Sequence, residues 1–357
     1  MSTGIFYSSQ GVDTPGVQIT PGVFQLPQAK FDTDYWRYQF GWKHTVQLLQ
    51  DWSVTGSAQV MHEDGRREGF QKLTQLGLPT NLRSSFAMSR VTPALVAEMD
   101  AGLFRHIRTT IGFRLDFPED GGPQFSPKLG ILYRPDSDTA LRFNVGRGFK
   151  LPSFNALGDP LIGNEDLKPE KSIGTDLGIE RTFFSGRHSV ALTYFYNRFS
   201  ALIDLDPDLA RAGVFKLMNL NTVETQGIEL TLKLHPWDSI NAKGYFNYLY
   251  SDIKGTDESL RNRPRFSGGV VFDTTFLDEF VLRADVNLVG KKYDIQIPTR
   301  KNQTEAYGKI NLSLTYAPTK AWRLYAVVDN LTNTKYEDYI GFPHPGTTFR
   351  LGFAIRQ

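Results

Sequence analysis

The sequence predicts an all-β chain, an antiparallel transmembrane β-barrel with fifteen or sixteen strands in its 357 residues. Three observations carry this reading. Apolar and polar residues alternate in segment after segment, the period of a two-faced strand. No stretch approaches the roughly 18 consecutive apolar residues of a membrane-spanning helix. The connections alternate between short turns and long loops, as the two rims of a membrane barrel do.

The last residues, Thr348 to Gln357, show the pattern most clearly. Phe349, Leu351, Phe353 and Ile355 fall on one side, and Arg350, Gly352, Ala354 and Arg356 on the other. Lipid offers backbone groups no hydrogen-bond partner, so strands cross a membrane only as a closed sheet. A mean hydropathy of −0.33 is compatible with this, because only alternate residues meet lipid. The 26 Phe and 15 Tyr suit rings gathered where lipid tails meet water. A net charge of +2 gives no footprint of a nucleic-acid binder. The absence of cysteine excludes disulfides and thiolate metal sites.

The amino terminus, Met1 to Tyr7, shows no basic region, apolar run or small-residue cleavage site. It reads as a processed chain or as a piece of something longer. Gly4 to Ser9 is the candidate sixteenth strand. Tyr35 to Lys43 then sets Trp36, Tyr38, Phe40 and Trp42 against Arg37, Gln39 and Lys43. After a turn at Leu49 to Asp51, Trp52, Val54, Ala58 and Val60 oppose Ser53, Thr55, Ser57 and Gln59. Glu63 to Ser85, rich in charge and glycine, reads as irregular.

The remaining strands pair in order: Leu95–Leu103 with Thr109–Phe117, and Phe125–Arg134 with Ala140–Gly146. Ile173–Arg181 pairs with His188–Phe199, and Thr225–His235 with Ile240–Ser251. Arg265–Phe276 pairs with Phe280–Gly290, and Tyr307–Ala317 with Trp322–Asn330. Turn chemistry marks Pro135–Asp138, Phe184–Arg187, Pro236–Ser239 and Pro318–Ala321. An Arg or Lys on the lipid face near the midplane costs roughly 2–4 kcal/mol. The charges of these strands, Arg142, Glu180, Glu229, Lys233, Arg283 and Asp285, are therefore expected to face a wet lumen. A β-sandwich would reverse the assignment; strand number and loop asymmetry favour the barrel.

Five segments resemble the carboxy-terminal part of TonB-dependent outer-membrane receptors. They are Phe143–Phe154 (FNVGRGFKLPSF), Asn164–Ser172 (NEDLKPEKS), Asn219–Leu230 (NLNTVETQGIEL), Asp329–Tyr336 (DNLTNTKY) and Pro345–Phe353 (PGTTFRLGF). Each is weak alone, but all five occur in the family's order. The resemblance implies one barrel over residues 1–357 in the bacterial outer membrane. It also implies uptake of a ferric siderophore or corrinoid, with energy from TonB in the parent protein. The family's barrel has about 22 strands around a plug. Neither plug nor TonB-binding box is recognised here, so the chain reads as a receptor lacking its plug and first six strands. TonB would be reached only through that missing part. A plug-less passive channel or surface-binding barrel is the alternative.

By the same resemblance, Lys168-Pro169-Glu170 ends an extracellular loop, and Gly227 allows a bend or close packing at a strand entry. Ligand contacts are expected in Phe149–Lys171, Ser200–Leu217, Ser251–Arg263 and Lys291–Glu305. Nothing suggests an enzyme or a bound cofactor: the six histidines lack metal spacing, and there is no GxSxG, Walker A or GxGxxG. Asp204, Asp206 and Asp208 (DLDPD) would suit a hard cation such as calcium. A solvated acidic loop is the simpler account of them.

Overall fold

The computed structural model describes residues 2–355 apart from 15–16, 21–23, 27, 76–77, 207–208, 210–214, 257–258, 295–302 and 320. Sixteen long strands follow one another, each hydrogen-bonded antiparallel to the next. They are β1 (Ser2–Thr14), β2 (Gln28–Leu49), β3 (Trp52–Gln75), β4 (Phe86–Phe104), β5 (Ile107–Asp116) and β6 (Gln124–Tyr133). Next come β7 (Thr139–Lys150), β8 (Glu170–Phe183), β9 (His188–Leu205), β10 (Leu217–Trp237) and β11 (Ile240–Ile253). The last are β12 (Phe266–Phe276), β13 (Phe280–Val289), β14 (Tyr307–Tyr316), β15 (Trp322–Asp329) and β16 (Thr348–Ile355). A short helix, α1 (Phe154–Gly158), lies between β7 and β8.

Gly4 to Ser9 does pair: β1 lies along β2 from Ser2↔Gly41 to Thr14↔Ala29. Among the described residues no pairing joins β1 to β16, so closure of the sheet is not seen. The stretch Glu63–Ser85, expected to be irregular, is a correction. β3 runs through to Gln75, paired with β4 and, above it, with Leu78–Arg83. Its two faces are both polar there, which removes the alternation by which a strand is recognised.

Rim asymmetry is as expected. One rim has tight turns, such as Phe276 to Phe280, where Leu277 and Asp278 take left-handed φ of 52° and 58°. Rings gather along it: Phe276 and Phe280 stack at 5.3 Å, and Phe280 and Tyr316 at 4.6 Å. The other rim carries the long connections. The outward side chains of β2, Trp36, Tyr38, Phe40 and Trp42, are all exposed and form an apolar face. Gly227 lies well inside β10 rather than at its entry. A Cβ there would fall 2.1 Å from the Tyr248 carbonyl oxygen and 2.7 Å from Phe195 Cζ, so close packing is its role.

Candidate functional site

Directly opposed residues share a face, and this defines the inner wall. Glu63 on β3 stands opposite Arg37 on β2 and Arg90 on β4. Its side chain is almost fully buried. Arg37 Nη2 reaches Glu63 Oε1 at 2.8 Å, and Arg90 Nε reaches Oε2 at 2.6 Å. The Tyr35 hydroxyl also donates to Oε1. Two guanidiniums thus share one carboxylate, which satisfies its oxygens and leaves the cluster one positive charge in excess.

The loop between β7 and β8 comes inward onto this cluster. Ser153 caps α1, its Oγ accepting from the Ala156 amide at 3.1 Å, the expected work of a serine at that position. Arg90 Nη1 donates to the Pro152 carbonyl at 2.7 Å, and its guanidinium lies 4.8 Å over the Phe154 ring. Phe154 is buried against Gly65 of β3. Further along, Arg67 Nη1 donates to Asp159 Oδ2 at 2.8 Å, with both side chains nearly enclosed. Arg67 is sandwiched by rings, 4.2 Å over Phe31 and 5.4 Å from Phe86. Between α1 and the wall is a cavity of about 670 Å³, lined by Phe6, Arg37, Glu63, Arg90, Arg114 and Phe154 among others.

Following the strand registers from Glu63 places Arg142, Glu180, Glu229, Lys233, Arg283 and Asp285 on the same face of the sheet as Glu63. Arg142 pairs with Glu180 at 2.7 Å, and Arg283 with Asp273 at 3.1 Å. Asp285 accepts from Asn287. Glu229 stands opposite Thr193 and Asn247, and Lys233 opposite Ser189 and Lys243. Apart from the Arg142–Glu180 pair, these six do not converge; they are spread over the wall.

Lys168 and Glu170 do end a loop. The Asn219 side chain bonds both the amide and the carbonyl of Lys168, at 2.8 and 3.0 Å. Glu170 Oε1 accepts from the Ile203 amide at 2.7 Å as β8 begins. Asp204, expected in a loop, instead lies in β9, paired with Met218 and taken by Arg261 at 2.5 Å; just beyond the strand, Asp206 Oδ1 accepts from the Leu209 amide at 3.1 Å. Asp208 lies outside the described residues. Among the described residues no group of three or more such ligands is arranged to hold a metal ion. The inward cluster of Glu63, Arg67 and Arg90 was missed by sequence reasoning, because these residues sit where alternation stops.

A family described as TonB dependent receptor-like, beta-barrel matches residues 2–331. This chain belongs to that family. Its relatives are receptors and transporters of the Gram-negative outer membrane. The iron-regulated outer membrane virulence protein of Vibrio cholerae is 26% identical over 82% of this chain and 48% of its own length. The ferric enterobactin receptor of Pseudomonas aeruginosa is 29% identical over 71% and 39%. The vitamin B12 transporter BtuB of Photobacterium profundum is 29% identical over 62% and 36%. The chain therefore spans about half or less of the length of the curated relatives it matches. Among solved structures, a ferric enterobactin receptor of P. aeruginosa with enterobactin superposes with a TM-score of 0.71. That match has 19% identity and covers 98% of this chain and 62% of that one. The copper transporter OprC gives a TM-score of 0.78 at 14% identity, over 98% and 61%. Both show the same barrel fold.

Proposed function

We propose that this chain is the wall and mouth of an importer that captures a bulky scarce nutrient, a ferric siderophore or a corrinoid, with energy delivered through TonB in the parent protein. The observation that carries the reading is the family match over nearly the whole wall, on a rim whose long loops enclose a cavity. Outward rings face lipid, the charged inner face meets water, and the loops capture the ligand before a plug elsewhere in the parent is displaced.

The test is uptake of labelled ferric enterobactin and labelled cobalamin by cells carrying or lacking the natural gene, with and without TonB. Loss of either uptake on deletion, and dependence on TonB, supports the reading. Unchanged uptake and growth on both ligand classes, and on a wider siderophore panel, sinks it. A passive channel is the second reading, favoured by the hydrated charges of the inner face such as Arg283 and Asp273. Steady conductance of this chain alone in a planar bilayer, without TonB-dependent uptake, would support it.

A further inference from the structure

Besides Pro169 against Gly121 in the β5–β6 connection, residues 151–169 touch the wall in two distant places. Pro152, Phe154 and Asp159 meet Arg90, Gly65 and Arg67 on β3 and β4. Ile162 and Asn164 meet Leu217 at the start of β10, where the Leu217 amide donates to the Ile162 carbonyl at 2.7 Å. Asn164 Nδ2 donates to the Leu217 carbonyl at 2.9 Å. In a flat sheet, β3 and β10 would stand about 34 Å apart at ~4.8 Å per strand. Asp159 and Ile162 are separated by at most about 11 Å of chain. The wall therefore curls, and the segment crosses the space it encloses.

The two attachments differ in chemistry. At β10 they are neutral backbone and amide bonds. At β3 and β4 they are an enclosed ion pair, a ring on a glycine, and one bond from a guanidinium. Asp159 is also fixed from its own side, since its Oδ1 accepts from the amides of Leu161 and Ile162 at 2.9 and 3.1 Å. Arg67 has Thr33 Oγ1 at 3.1 Å besides Asp159. Without Asp159 it would be an enclosed guanidinium between two rings with no anion, an expensive state. An oxyanion able to enter would take the same place.

We propose that residues 151–169 form a strap across the mouth, hinged at β10 and latched at Arg67, which opens when an anionic oxygen group replaces Asp159 on that arginine. Asp159 is an internal stand-in for the anion. The strap covers the cavity over Glu63, so its opening exposes that cavity from the long-loop side. This holds for a receptor and for a passive channel alike, so its test is independent of uptake.

The chain has no cysteine, so a single thiol reports opening. Ala156, on α1 within the strap, is buried, and Ala156→Cys in the full chain in detergent micelles should react slowly with a charged maleimide. Adding Asp159→Asn should speed the reaction by about tenfold, the loss of an interaction of ~1.4 kcal/mol. Asp159→Glu should restore part of the protection. Glu165→Cys, an exposed strap position, should react at one rate in every background, showing that the fold is kept. Inorganic phosphate should accelerate labelling of Ala156→Cys, and Arg67→Gln should abolish that response. Equal labelling with and without Asp159→Asn overturns the latch. Equal acceleration by sodium chloride at matched ionic strength, or none by phosphate, overturns the exchange.

Discussion

The ring of Phe154 occupies the space that a side chain at residue 65 would need. A Cβ on Gly65 would fall 2.4 Å from Phe154 Cδ2. A loop residue and a strand residue far apart in sequence are thus fitted to each other, and the ring continues toward Tyr35, 6.3 Å away between centroids. The contact couples the loop's position to the Arg37–Glu63–Arg90 cluster beneath it.

Gly65→Ala should displace Phe154 from the wall at a cost of about 1–3 kcal/mol, the usual range for overpacking. Limited proteolysis should then cut within residues 151–169 faster than in the parent chain, with the strands uncut. Unchanged cleavage would mean that the ring adjusts in place.

Glu63→Gln should destabilise by about 3 kcal/mol, because two guanidiniums lose their shared carboxylate in an enclosed site. Denaturant unfolding followed by tryptophan fluorescence reads the effect. Replacing the exposed Glu165 in the same way should leave the midpoint within about 0.5 kcal/mol, as for most surface changes.

A pH effect is expected in the loop between β15 and β16. Burial would raise the Asp338 carboxyl, but hydrogen bonds from Lys292 Nζ at 2.9 Å and Tyr307 OH at 3.0 Å outweigh it and hold it below its ordinary value. His344 Nε2 adds a contact at 2.8 Å. A depressed carboxyl stabilises fully above its unfolded value and less as pH falls through the folded one. Protection of residues 330–347 against hydrogen exchange should therefore be intact at neutral pH and fall below about pH 4. Asp338→Asn should lower protection at neutral pH and remove the acid-dependent part.

The two faces of β10 should respond oppositely to charge. Leu232→Arg, on the outward apolar face, should cost roughly 2–4 kcal/mol in lipid. Thr231→Arg, on the face of Glu229 and Lys233, should cost far less. Folding yields in phospholipid vesicles distinguish them, and the reverse ranking would assign the apolar face to a dry protein core.

Strand identity was legible wherever one face is apolar and the other wet, as in Thr348–Ile355 or Ile240–Ile253. The outer half of β3 was not, because Glu63 to Gln71 lies beyond the apolar band and is polar on both faces. Alternation records a difference in solvent between two faces, and where that difference vanishes the strand is invisible in sequence. The candidate site was hidden for the same reason. Glu63, Arg67 and Arg90 look like ordinary loop charges until their strands are paired.

The sequence by itself determined the antiparallel order, the two rims and the family, since each depends on local period, local turn chemistry or short motifs. Only the tertiary structure decided that residues 151–169 cross the mouth and that Asp159 finds Arg67, 92 positions away. The same holds for Glu63, enclosed by partners on both neighbouring strands. These contacts depend on register and on curvature of the wall. Both are sums over many strands, so no single segment of sequence records them.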